Sequence, residues 1–144
     1  MKKGLIMKYY LISDEKFGNT LHNEFKGVGG IYKLHCFKNR DRNEIITINR
    51  ALGNDNDGVL YIGKAILFTN RVINLKKSLA YKSGAHICGR RYWREMNENL
   101  RLKFPYENLC VSLTPSENPD ELEKEKIYDY CKIYGEPPPL NRFD

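Results

Sequence analysis

The chain lacks any long apolar segment. No run of apolar residues approaches the roughly 20 that a transmembrane helix requires, and the basic residues near the start are followed by no small-residue cleavage site of a signal peptide. Internal repeats and low-complexity tracts are absent as well. These absences predict a cytoplasmic protein that does not enter a membrane.

Cysteine pairs of the C-x-x-C type are also absent. The four cysteines are widely spaced, at Cys36, Cys88, Cys110 and Cys131. This spacing argues against a zinc ribbon and against a redox motif. We expect free thiols that are buried for structural reasons. The alternative is a zinc site in which His35 and His86 join their neighbouring cysteines.

What the chain does have is the size of one domain and an excess of positive charge. Its 144 residues can bury a single sizeable core, and 41% apolar with 29% charged residues is typical of a globular protein. The formal net charge of +6 favours an anionic partner such as nucleic acid. Many basic proteins bind nothing specific, so charge alone leaves both possibilities open.

Basic side chains cluster at residues 38–42, 76–77 and 90–91. The last cluster precedes Tyr92 and Trp93, and aromatic rings among cations are typical of surfaces on which nucleobases stack. We therefore expect Lys76, Arg90 and Arg91 to contact nucleic acid.

Strand-forming residues fall in four short segments. Residues 29–34 and 44–49 are rich in β-branched and aromatic side chains and flank a polar stretch at 38–43, which predicts two antiparallel strands joined by a turn. A third short, buried strand is predicted at 59–63 and a fourth at 108–113.

Helical signals occupy the remaining segments. Phe68, Val72, Leu75 and Leu79 recur at helical spacing and predict an amphipathic helix over residues 66–81. Residues 83–91 indicate a loop or an irregular entry to a short helix around residues 92–100. Asn118, with Pro119 after it and Glu121 three residues on, indicates a helix start with an N-cap, a first-turn proline and a capping-box acid, and Gly135 marks the end.

The element order β-β-β-α-(α)-β-α predicts one small α/β or α+β domain. Its central sheet is expected to be mostly antiparallel and flanked by helices. We divide the chain into an N-terminal extension, residues 1–28, and a core, residues 29–141.

Two tripeptides resemble the signature of a nuclease family. Gly30-Ile31-Tyr32 on the first predicted strand and Tyr61-Ile62-Gly63 on the third match the tripeptides that name the GIY-YIG nucleases. Further landmarks follow in order: Lys64, Arg71 on the next helix, an acidic helix, and Pro138-Pro139-Leu140-Asn141. The chain thus resembles a GIY-YIG endonuclease over residues 29–141.

The gap between the tripeptides, residues 33–60, is longer than in most members of the family. In this respect the chain is similar to the restriction-enzyme-like and phage-like branches. The segment from His86 to Arg91 also resembles the His-x-x-Gly-Arg segment of some of those members. Nothing resembles the additional DNA-recognition domains of larger relatives.

The resemblance implies an endonuclease that hydrolyses DNA phosphodiester bonds with Mg²⁺ or Mn²⁺. It makes Tyr32 the expected general base and Tyr61 the residue that orients water or phosphate, although the family leaves that division open. Tyrosine has an ordinary pKa near 10, so a tyrosine base needs positive charge nearby. Lys64 and Arg71 are the candidates to supply that charge and to contact phosphate.

Three further residues follow from the resemblance. Glu123 is expected to bind the metal ion. His86 is expected either to contact the scissile phosphate or to assist proton transfer, and an ordinary loop histidine is the alternative. Asn141 is expected to fasten the C-terminal segment near the site through its amide, and a simple turn residue is the alternative.

Helical periodicity independently separates Glu123 from its acidic neighbours. At ~100° per residue, Tyr130 and Tyr134 lie within ~40° of Glu123 around the helix, whereas Glu121 and Glu125 lie ~160° away. A carboxylate on an apolar helix face is costly unless it is paired or bound to a cation. One inward carboxylate favours a mechanism with a single metal ion.

Two other functions remain open. One is a nucleic-acid-binding module that retains the fold without catalysis, and the other is a basic protein-interaction domain whose tripeptides are coincidental. Salt-dependent DNA binding without cleavage indicates the first, and no DNA binding at all indicates the second.

Overall fold

The computed structural model describes residues 7–39, 44–82, 84 and 86–141. The strands, in chain order, are β1 (Tyr10–Leu11), β2 (Gly30–Cys36), β3 (Ile48–Arg50), β4 (Gly53–Asp55), β5 (Tyr61–Ala65) and β6 (Leu109–Pro115). The α-helices are α1 (Phe17–Phe25), α2 (Phe68–Tyr81), α3 (Ile87–Tyr92), α4 (Glu98–Lys103) and α5 (Pro119–Tyr134). Single 3₁₀ turns occupy Glu95–Asn97 and Tyr106–Asn108.

The fold is α+β, with a four-stranded antiparallel sheet of order β1-β6-β2-β5 flanked by helices. The central strand β2 pairs on one side with β5 and on the other with β6. The first, third and fourth predicted strands are confirmed, apart from shifts at their ends. In this register Tyr32 lies opposite Gly63 of β5 and Leu113 of β6.

The predicted antiparallel pairing of residues 44–49 with the first strand forms only at the end of that strand, where the N–H of Ile46 donates to the carbonyl of Cys36 at 2.8 Å. A strand has two edges, and β5 and β6 occupy both edges of β2. Only a single bridge joins Phe37 to Ile45, and β3 pairs instead with β4 in a separate two-stranded sheet. Residues 40–43 of the predicted turn and basic cluster lie outside the described residues.

The described part of the N-terminal segment, residues 7–28, is built into the same core as the rest of the described chain. Strand β1 pairs with β6, and Phe17 and Leu21 of α1 are buried in the main apolar cluster together with Phe68 and Val72 of α2. Sequence reasoning assigned no element to this segment, although Phe17, Leu21, Phe25 and Val28 recur at the helical steps of four, four and three.

The predicted helix at 66–81 corresponds to α2, and the predicted final helix corresponds to α5. The expected short helix at 92–100 is confirmed in part: a 3₁₀ turn at Glu95–Asn97 leads into α4, Glu98–Lys103, whereas α3, Ile87–Tyr92, occupies much of the segment predicted as a loop. Of the predicted loop at 83–91, residues 83 and 85 lie outside the described residues. At the start of α5, Asn118 makes no side-chain capping hydrogen bond, whereas Pro119 and the left-handed Gly135 (φ 80°) bound the helix as predicted.

The cysteines are free thiols, as expected. Among the described residues, no helix is both long enough and apolar enough to cross a membrane.

Candidate active site

A cavity of about 690 Å³ lies between the β5 edge of the sheet and helices α2 and α5. Five of the side chains predicted from the sequence line it: Tyr32, Tyr61, Lys64, Arg71 and Glu123. They come from β2, β5, α2 and α5. The fold therefore assembles phenols, cations and a carboxylate from distant parts of the chain around one space.

The glycine of the second tripeptide makes room for both tyrosines. A Cβ atom on Gly63 would lie 2.5 Å from the hydroxyl oxygen of Tyr32 and 2.7 Å from ring atom Cε2 of Tyr61. Tyr32 is fully buried and Tyr61 is 6% exposed, with their ring centroids 6.2 Å apart. Any larger residue at position 63 would overlap both tyrosines and displace at least one ring from its observed position.

The hydroxyl of Tyr32 is hydrogen-bonded to His86, and a backbone N–H group fixes the tautomer of this histidine. The Oη atom of Tyr32 lies 2.5 Å from Nε2 of His86. The Nδ1 atom of His86 accepts a hydrogen bond from the backbone N–H of Cys88 at 3.0 Å, so Nδ1 carries no proton. Burial, helped by the charges of Arg71 and Arg90, lowers the pKa of His86 to about 3. The imidazole is neutral, its proton sits on Nε2, and it donates to Tyr32.

His86 is 1% exposed and stands behind Tyr32. His86 is not among the residues that line the cavity, whereas Tyr32 is, so the contact of His86 with the site is through the Tyr32 hydroxyl. Because its Nε2 already holds a proton, it also does not accept one from Tyr32. Its geometry is that of a positioning residue that holds the Tyr32 hydroxyl.

Burial opposes ionisation of both tyrosines. It is the main cause that raises the pKa of Tyr32 above its ordinary value, with the neighbouring Tyr61 adding to the shift. Burial likewise raises the pKa of Tyr61. The guanidinium of Arg71 lowers the pKa of each. A phenolate here therefore requires further positive charge in the cavity.

Cations and carboxylates meet at the α5 side of the cavity. The ammonium of Lys64 is ion-paired with the carboxylate of Asp120, which also contacts Lys124 at 3.3 Å. Burial raises the pKa of the half-buried Glu123, and the positive charges of Lys64 and Arg71 oppose that shift. Lys64 is half-exposed and so is free to turn from Asp120 towards a ligand phosphate.

The carboxylate of Glu123 fits a hard divalent cation better than its neighbours do. Glu123 lines the cavity, whereas Glu121 and Glu125 are exposed, as periodicity predicted. The described part of the chain contains no group of three or more His, Cys, Asp or Glu side chains that could hold a metal. Mg²⁺ is often held by one or two carboxylates, with water and substrate phosphates supplying the rest. Two carboxylates line this cavity: Glu123, and Asp120, which is paired with Lys64.

The alternative zinc pairing is not formed. His35 is committed elsewhere: its Nδ1 lies 2.8 Å from the carbonyl of Asp57 and its Nε2 lies 2.8 Å from the hydroxyl of Ser112. It is a buried, satisfied histidine on the far side of β2 from Tyr32.

Asn141 fastens the C-terminal segment to the strand that carries Tyr61. Its Oδ1 accepts the backbone N–H of Ile62 at 2.8 Å and its Nδ2 donates to the carbonyl of Ile62 at 3.0 Å. Arg91 donates to the carbonyl of Leu140 at 2.9 Å. The Asn141 amide thus covers the free edge of β5 as a further strand would, and it acts on the site through Tyr61 rather than by direct contact.

Arg91 and Lys76 do not face the cavity. Arg91 is only 7% exposed and is used in anchoring the C-terminal segment, so its predicted contact with nucleic acid is wrong. Lys76 lies ~140° around α2 from Arg71 and contacts the carbonyl of Asp14 at 3.4 Å and the ring of Phe17. Of the three predicted basic contacts outside the cavity, only Arg90 is exposed.

The aromatic pair beside Arg91 is structural. The hydroxyl of Tyr92 donates to the carbonyl of Phe104, and the indole N–H of Trp93 donates to the carbonyl of Leu79. Their proximity to basic residues in the sequence therefore did not indicate a base-stacking surface.

Comparison of the chain with protein-family models, curated proteins and solved structures gave no match. The likeness to GIY-YIG nucleases rests on the residues of this chain.

Sequence reasoning missed three polar residues of the cavity. Asn70 and Asn74 project into it from α2 beside Arg71, and Asp120 from α5 beside Glu123. The signal was available in part, because Asn74 and Asp120 lie three residues from Arg71 and Glu123 and so share their helix faces.

Proposed function

We propose that this protein is a divalent-metal-dependent endonuclease that hydrolyses DNA phosphodiester bonds in the manner of the GIY-YIG nucleases. The observation that carries the proposal is the shared cavity of Tyr32, Tyr61, Lys64, Arg71 and Glu123. Strand packing alone would account for one buried tyrosine. It does not account for two phenols, two cations and a half-buried carboxylate around one space.

In-line hydrolysis needs a base for the attacking water, positive charge against the phosphorane oxygens and stabilisation of the departing 3′ oxygen. Arg71 borders the cavity next to both tyrosines, and its forked donors suit a phosphate. Lys64 supplies a second, movable cation once it leaves Asp120. Both cations also favour the phenolate form of a neighbouring tyrosine.

Tyr32 is the proposed general base. Its oxygen accepts the Nε2 proton of His86, which stabilises negative charge on that oxygen. In its phenolate form, its own proton having left to solvent, Tyr32 takes the proton of the attacking water as the water oxygen bonds to phosphorus. The bond from phosphorus to the 3′ oxygen then breaks, and that oxygen takes a proton from solvent. Tyr61, the more exposed of the two tyrosines, orients the water or the phosphate.

Glu123 would hold the Mg²⁺ or Mn²⁺ ion. When bound there, such an ion neutralises charge on the phosphate oxygens. The raised pKa of Glu123 fits this role, because a carboxylate in a low-dielectric site prefers a cation partner to none. The positive charge of such an ion would also favour the phenolate form of the nearby tyrosines.

Supercoiled plasmid tests the proposal. We expect conversion to open-circle or linear DNA only with Mg²⁺ or Mn²⁺, and no conversion in excess chelator. Sequencing of the product ends then locates the cleaved bond. Tyr32→Phe and Tyr61→Phe form the matched pair: the base variant loses turnover at every pH, whereas the orienting variant keeps part of it.

Salt-dependent DNA binding with no cleavage under any metal would contradict the proposal and support a binding module that lacks catalysis. No DNA binding would support a protein-interaction domain. Undiminished cutting in chelator would exclude the metal-dependent mechanism.

A further inference from the structure

An isoleucine projects into solvent at the rim of the cavity. Ile66 follows the last residue of β5 and is 87% exposed. It lines the 690 Å³ cavity of the candidate site and also a second cavity of about 780 Å³ on its other side. With 87% of its surface exposed, this apolar β-branched side chain is almost unpacked against the described part of the chain.

The backbone under Ile66 is held rigidly. Gly29 lies so close to the carbonyls of Ala65 and Ile66 that a Cβ atom at position 29 would overlap both. The N–H of Phe68 donates to the carbonyl of Val28 at 2.9 Å. Both contacts tie the segment between β5 and α2 to the segment before β2. Ile66 is therefore a fixed projection and not the tip of a loose loop.

The surroundings of Ile66 differ on its two sides. Lys64 and Arg71 belong to the first cavity together with the carboxylates of Asp120 and Glu123. The second is lined mostly by glycine, valine and proline residues, namely Gly27, Val28, Gly29, Pro115 and Pro119, with Ser116 and Glu117. A phosphate suits the first cavity, and the flat apolar face of a nucleobase suits the second.

We propose that Ile66 is a wedge that inserts into duplex DNA next to the scissile phosphate and separates two stacked bases. The inference rests on the proposed nuclease function. Isoleucine is among the side chains that proteins insert between base steps. The burial of Tyr32 gives a reason for the wedge, because a phosphate must leave the regular duplex path to reach a hydroxyl at the cavity floor.

A second copy of this chain is the competing occupant. A dimer contact centred on Ile66 would cover the mouth of the cavity and exclude the substrate. Duplex DNA covers the same mouth productively. With the divalent cation of the proposed function on Glu123, the positive charges of the first cavity exceed its two carboxylates, which matches the charge of DNA.

The test uses a set of mixed-sequence DNA duplexes, each with 2-aminopurine at a different base step. The fluorescence of 2-aminopurine rises when the base is unstacked. It is measured with the full chain and Ca²⁺ in place of Mg²⁺. For wild type we expect a fluorescence rise at one step. Ile66→Ala should abolish the rise and weaken duplex binding about tenfold. Ile66→Leu should restore both. The control Leu102→Ala removes an equally exposed apolar side chain from α4 and should change neither.

The outcomes separate the wedge from the nuclease. If wild type cleaves plasmid but gives no 2-aminopurine response, and Ile66→Ala binds duplex DNA as tightly as wild type, the wedge is overturned and the nuclease proposal stands. A response lost in Ile66→Ala without plasmid cleavage supports the wedge and overturns the nuclease. Absence of duplex binding by wild type overturns both. A dimer that Ile66→Ala dissociates, seen by analytical ultracentrifugation, also overturns the wedge.

Discussion

Replacing Gly63 by alanine is a direct test of the tyrosine packing in the site. The new methyl carbon would meet the Tyr32 hydroxyl at 2.5 Å and the Tyr61 ring at 2.7 Å. Ordinary contacts of that kind are near 3.5 to 4.0 Å, so about 1 Å of movement is required. Because Tyr32 is fully buried and bonded to His86, the ring has nowhere to move without breaking that bond.

Two consequences have calculable size. Overpacking of this kind typically costs about 1 to 3 kcal/mol of unfolding free energy, which lowers Tm by about 3 to 12 °C in a domain of this size. A displacement of about 1 Å at the base reduces turnover about 100-fold or more. Thermal unfolding by circular dichroism measures the first quantity, and plasmid nicking at saturating Mg²⁺ measures the second.

The matched control is Gly18→Ala in α1. A Cβ atom there meets only Ile73 at an ordinary 3.6 Å, and alanine is the better helix former by roughly 0.5 to 1 kcal/mol. We expect unchanged cleavage and equal or higher Tm. If Gly63→Ala cleaves and unfolds like wild type, the two tyrosines are not held against Gly63 and the argument for their placement is wrong.

Substitutions of Glu123, Tyr32 and Asp120 test the chemistry of the site, with Glu125→Gln as a control. Glu123→Gln should abolish Mg²⁺-dependent cleavage while DNA binding persists. The control Glu125→Gln should alter stability by less than about 0.5 kcal/mol. If Glu123→Gln cleaves and Glu125→Gln does not, Glu123 is not the metal ligand. Because burial raises the pKa of Glu123, the folded state holds its proton more tightly, so the ionised carboxylate lowers stability as pH rises above the ordinary 4.5. Glu123→Gln should therefore raise Tm at neutral pH and not at pH 4, as thermal scans at both values would reveal. Tyr32→Phe should remove most turnover with duplex affinity intact, and near wild-type single-turnover rates would exclude it as the base. Asp120→Asn releases Lys64 and should tighten DNA binding at low salt, an effect that is absent if their ion pair does not restrain the lysine.

The sequence alone determined the features that depend on neighbours along the chain. Helical spacing turned Glu123 inward and Glu121 and Glu125 outward, because the angle between residues of one helix is independent of the fold. Proline and glycine bounded α5 for the same local reason. Alternation and composition predicted the strands that carry Tyr32 and Tyr61.

Only the tertiary structure decided which segments meet. Residues 44–49 have strand-forming composition, yet β5 and β6 take both edges of β2. From the sequence, Arg91 is expected to be a surface cation. In the structure it is buried and donates a hydrogen bond to the carbonyl of Leu140. The contact between His86 and Tyr32 spans 54 positions, and no local pattern encodes it. Periodicity describes the faces of single elements, whereas the partners of those faces depend on the packing of all the elements together.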